Sequence, residues 1–104
     1  MEYLNKTQCR ELLRIQSRDT INKYLKALGL FERTRFGWSE IKRILELQIF
    51  LGLKHGRNAI SDFEEMSQRE LEQTFESYGV NVNARLDALQ KIHRDSVQLK
   101  PALR

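Results

Sequence analysis

The side chains that most often do covalent or metal chemistry are sparse in this chain. Cys9 is the single cysteine, and His55 and His93 are the only histidines, widely separated in sequence. Neither histidine has the acidic or cysteine neighbours of a zinc ligand set, so no metal is expected. One cysteine supports no disulfide framework, and without a nearby histidine it makes no nucleophile–base pair. No glycine-rich loop follows a strand to cradle a phosphate. These exclusions leave no catalytic constellation and no cofactor site, and the expectation is a protein that is not an enzyme. The acidic run Glu64, Glu65, Glu70, Glu72 and Glu76 is most simply a solvated helix face.

What the chain does carry is positive charge, unevenly placed. Its 104 residues include 18 Lys/Arg and 14 Asp/Glu, a net of +4 and a pI near 9.5. Residues 1–57 hold 12 Lys/Arg against 6 Asp/Glu, a net of +6, and residues 58–104 hold 6 against 8, a net of −2. A basic front half suits a polyanion and a slightly acidic back half suits protein. Between Ser17 and Gly29 the outward helical positions carry Arg18, Asp19, Asn22, Lys23 and Lys26. Arg18 can fork onto guanine, Asn22 can pair with adenine, and Asp19 can accept from cytosine or orient Arg18. Lys23 and Lys26 suit phosphates, which position a protein without reading sequence.

Further forward, Thr7 and Gln8 open a helix and can offer donors to a phosphate. Arg33 and Arg35 alternate and would project from one side of an extended segment, into a phosphate or a narrow minor groove. An exposed charged face is most often only solvated; the grouping, not any single residue, points to nucleic acid. Phe31, Phe36 and Trp38 could stack on bases, but filling a small core is the simpler expectation.

These residues must be positioned by helices. Asn5 with Gln8 reads as a capping box, after which Cys9, Leu12 and Leu13 share one face. Ile15-Gln16-Ser17 interrupts, and Ser17 caps a second helix whose Ile21, Tyr24, Leu25 and Leu28 face inward before Gly29 ends it. Two short helices so joined make a helix-turn-helix. Leu30 to Trp38 is short, aromatic-rich and contains Gly37, and a β-hairpin wing is expected there. Ser39 is expected to cap a helix to about Leu53 that is apolar on more than one side, and hence buried on two. A shorter helix is expected over Asn58–Met66, with Ile60, Phe63 and Met66 inward. Ser67 and Glu70 form a second capping box, opening a helix that carries Leu71, Phe75 and Tyr78 before Gly79. A last helix beginning near Asn81 or Asn83 aligns Val82, Leu86, Leu89, Ile92 and Val97, as in a short coiled-coil seam, and packing within one chain would give the same pattern.

Glu11-Leu12-Leu13, Ile15, Thr20 to Lys26, Gly29-Leu30 and Trp38-Ser39-Glu40-Ile41 resemble the winged helix-turn-helix of the MerR superfamily and the excisionases. The similarity covers about residues 4–66, with a turn one residue longer than usual between the two helices. It implies a mainly α fold: a winged helix-turn-helix DNA-binding domain at 1–66, and a C-terminal helical region at 67–104 used for dimerisation. The dimer residues so implied are Leu71, Phe75, Val82, Leu86, Leu89 and Ile92. The expected partners are double-stranded DNA and a second copy of the chain, with no effector domain and no small-molecule effector. No apolar run approaches the ~20 residues of a membrane span, and the first residues lack the shape of a secretory signal. A cytoplasmic, nucleoid-associated location is therefore expected. The leading functional expectation is a sequence-specific regulator, a homodimeric repressor. Its rivals are an excisionase-like architectural factor for recombination or transposition, and a helical protein-interaction module that binds no nucleic acid.

Overall fold

The computed structural model describes residues 3–54 and 56–102, with side chains described as far as Ser96. His55 and the side chain of Val97 lie outside the described residues. Along the chain run α1 (Lys6–Leu12), α2 (Arg18–Ala27), α3 (Trp38–Leu53), α4 (Ala59–Glu65), α5 (Gln68–Ser77) and α6 (Val82–Ala102).

Local chemistry sets most helix ends. Asn5 Oδ1 accepts from the Gln8 N–H and Gln8 Oε1 accepts from the Asn5 N–H, both at 2.8 Å, so two orphan donors of α1 are satisfied at once. Ser17 Oγ accepts from the N–H groups of Asp19 and Thr20 at the start of α2. Ser67 and Glu70 close the expected box on α5, and Asn81 Oδ1 accepts from the Ala84 N–H on α6. Gly29 ends α2 with φ +71°, which lets the Leu30 N–H reach back to the Leu25 carbonyl at 2.8 Å. Arg14 does the same for α1 without being glycine. Its φ is +56°, and the next N–H, that of Ile15, donates to the Arg10 carbonyl at 2.9 Å.

The expected cap of α3 is displaced. Gly37, not Ser39, is the N-cap, and the helix opens at Trp38. Glu40, three residues on, accepts from the Gly37 N–H at 2.9 Å, so the box is closed from the carboxylate side only.

The β-hairpin wing is absent, and the fold is all-helical among the described residues. Leu30–Gly37 is an irregular connection containing a turn, with the Arg33 N–H donating to the Leu30 carbonyl at 3.1 Å. Its one ladder-like contact is an isolated antiparallel bridge, Leu4 with Phe36, made by two hydrogen bonds of 2.9 and 2.8 Å. Eight residues are few for two strands and a turn, given strands of usually 3–10 residues. The chain instead pairs Phe36 with the segment before α1 and buries its ring completely. Burial of that side chain stabilises by roughly 1.5–3 kcal/mol, more than a marginal two-stranded ribbon would.

α3 is the axle. Its Ile41, Ile44, Leu45, Leu47, Ile49 and Phe50 are buried, and it packs on α2, α4 and α6. Phe50 meets Phe63 of α4 edge to face at 5.6 Å. One contiguous core runs from Leu4 to Phe75, so the residues on either side of position 66 share it.

Candidate nucleic-acid interface

Ile21 and Leu25, each 1% exposed, pin α2 onto the core with Tyr24 and Leu28 half-buried beside them. With that face spent, Arg18, Asp19, Lys23 and Lys26 are exposed, while Asn22 is half-buried at the junction with α1. The turn that sets α2 against α1 is held by two side chains. Gln48 Nε2 of α3 donates to the Leu13 carbonyl at 2.8 Å, and an Arg10 guanidinium nitrogen donates to the Gln16 carbonyl at 2.9 Å. Both bonds satisfy carbonyls that the end of α1 and the turn leave open. Neither was legible in the sequence, because residues 6 and 35 positions apart meet only in the fold.

Where the two helices adjoin, Lys6, Thr7, Arg10, Arg18, Ile21 and Asn22 line a cleft of about 290 Å³. Three of the six are cations and none is an acid. Asn22 Oδ1 is buried with no hydrogen-bond partner among the described residues. Gln8, expected as a phosphate donor with Thr7, has its side-chain oxygen engaged in the α1 cap.

The residues assigned to a wing divide. Arg33 and Arg35 are both exposed, and Arg33 lies 3.6 Å from Glu40 of α3. Glu40 is also bonded by the Ser39 hydroxyl; that bond, then the Gly37 N–H, hold its carboxyl below the usual range. Phe36 fills the core as expected, but Phe31 is 36% exposed. The ammonium groups of Lys6 and Lys26, from different helices, each sit 4.8 Å from the Phe31 ring centre. Phe31 therefore gathers two cations at the edge of the α2 face, a role its sequence context did not suggest.

The six residues expected at a dimer interface separate by burial. Leu71 and Phe75 are 2% and 3% exposed, inside the single chain's own core. Val82, Leu86 and Leu89 are partly buried against that core, and Ile92 is 55% exposed. Tyr78, at the C-cap of α5, is 49% exposed, with Lys54 over its ring at 5.6 Å. α6 is fastened near its middle by His93, whose ring meets Trp38 edge-on at 5.8 Å.

Two further groups bear on chemistry. Cys9 is 1% exposed, and burial pushes its thiol up to about 12, so it is a small core hydrophobe and not a nucleophile. Glu46 is the buried charge that sequence reasoning missed. It is 2% exposed, with Arg43 at 3.0 Å and Gln68 Nε2 donating to it at 3.0 Å. Its position between Leu45 and Leu47, in the apolar stretch of α3, was the available signal. No group of three or more metal-ligating side chains occurs among the described residues, and no helix there is long and apolar enough to cross a membrane. No family model, curated protein or solved structure matches this chain.

Proposed function

We propose that this protein binds double-stranded DNA with α2 in the major groove and acts as a homodimeric transcriptional repressor. The observation that supports this reading is the face of α2. A capped helix of 10 residues is anchored by Ile21 and Leu25, and it presents Arg18, Asp19, Lys23 and Lys26 outward together. Those residue types supply both a base reader and phosphate contacts. Arg35, and Lys6 over the Phe31 ring, extend the positive surface beyond the helix. A second copy would place two such helices on two half-sites, with the outer strip of α6 around Ile92 as the surface it covers. Such a regulator would work at the nucleoid.

The test is fluorescence anisotropy on a mixed-sequence duplex across a salt series, with Arg18→Ala/Lys23→Ala/Lys26→Ala as comparison. Loss of these three cations, Lys23 and Lys26 among them as phosphate contacts, should flatten the log K against log salt slope by roughly 2–3 units. An unchanged slope sinks the assignment of α2. Selection from a random duplex library then decides the biology. An inverted repeat supports a dimeric repressor. Salt-sensitive binding with no recovered motif favours an architectural factor, and no binding at low salt leaves a protein-interaction module.

A further inference from the structure

We propose that the cleft between α1 and α2 is a preformed seat for a single phosphate group, held by Lys6, Thr7, Arg10 and Arg18. Its lining carries three cations and no carboxylate, although arginines elsewhere, Arg33 and Arg43, lie against glutamates. Like charges gathered around one concavity repel, and an anion between them removes that repulsion. Two of the cations are fixed in advance. One guanidinium nitrogen of Arg10 is bonded to the Gln16 carbonyl, and Lys6 is held over the Phe31 ring. Preorganised donors lose less freedom on binding than free side chains do.

Charge, not size, selects the ligand: the cleft of about 290 Å³ has room for a phosphate, and its three cations favour an anion. The phosphate can come from a DNA backbone or from a free phosphorylated compound. Only the first source rests on the DNA-binding reading.

The experiment titrates the full chain with inorganic phosphate at constant ionic strength, against chloride, following backbone and arginine side-chain NMR signals. Saturable shifts confined to Thr7, Arg10, Arg18 and Asn22 are expected, with Kd on the order of 1–10 mM. Arg18→Gln, at an exposed first-turn position, should weaken phosphate binding about tenfold. Arg69→Gln, on the exposed face of α5, should leave it unchanged. Circular dichroism of both variants checks that each is folded. If a duplex shifts the same signals and phosphate competes with it, the phosphate seated is that of the DNA backbone. If phosphate saturates the cleft while no duplex binds, the seat stands for a free phosphorylated ligand and the DNA reading fails. Non-saturating shifts, shifts matched by chloride, or an Arg18→Gln variant that binds phosphate as the parent does would overturn the proposal.

Discussion

Replacing Arg43 with alanine should destabilise the protein more than replacing Glu46, the residue it serves. Glu46 is 2% exposed on α3, and its two carboxylate oxygens take one bond each, from Arg43 and from Gln68 of α5, both at 3.0 Å. Arg43→Ala removes the charged partner and leaves the buried carboxylate with Gln68 alone. A hydrogen bond to a charged group contributes about 1.5–3 kcal/mol, and the side chain of Arg43 is 43% exposed, so the lower part of that range applies. Arg43 also lies 5.0 Å from the Phe63 ring centre, a contact worth roughly 0.5 kcal/mol at an exposed site. The expected loss is about 2–2.5 kcal/mol, or roughly 8–20 °C in Tm for a domain of this size.

Glu46→Leu removes the same bonds but strands no buried charge, because Arg43 and Gln68 both reach solvent. It should cost about 1 kcal/mol or less. Urea denaturation followed by far-UV circular dichroism measures all three proteins, and the Arg43→Ala/Glu46→Leu double variant completes the cycle. The double variant should be more stable than Arg43→Ala alone. If Glu46→Leu costs more than Arg43→Ala, or if the two losses simply add, the dependence of a buried carboxylate on its partner is refuted.

Arg14→Gly should stabilise by up to about 1 kcal/mol, since glycine adopts φ +56° without the steric cost an L side chain meets; a lowered urea midpoint would contradict this. Cys9 should react with a thiol reagent only as the protein unfolds, so its labelling rate should track urea concentration; rapid labelling of the folded protein at pH 8 would show it accessible. Because its thiol is raised from about 9.0 to about 12 in the fold, its neutral form is favoured there. That contribution is complete below pH 9.0 and falls away as pH rises toward 12, a decline that Cys9→Ala should lack in alkaline melts. Glu40→Gln should cost roughly 1 kcal/mol by weakening the start of α3. The lowered carboxyl of Glu40 implies stability present above the ordinary glutamate range and lost as pH falls through its folded value. The variant's melts should therefore be flatter in acid, and a parallel pH profile would rule that out.

The sequence by itself determined several helix ends, though not the start of α3, because those ends are decided by groups a few residues apart. A serine or asparagine cap reaches only to the next turn, as at Asn5, Ser17 and Ser67, and a glycine at positive φ stops α2 and α5 from within. The inward faces of α1 and α2 followed from 3.6-residue periodicity, and with them the identity of the residues left outside, Arg18, Asp19, Lys23 and Lys26. Only tertiary structure decided the rest. Leu30–Gly37 has the composition of a hairpin, but strands exist by pairing, and its pairing ends after Leu4 and Phe36. An amphipathic stripe shows that a face is buried without showing against what. Leu71 and Phe75 went into the single chain's core, while Ile92 stayed outside it. Glu46 became a buried charge when α5 brought Gln68 against α3. The cleft of Lys6, Arg10 and Arg18 came from the angle between two helices, which Gln48 and Arg10 fix by gripping the turn between them.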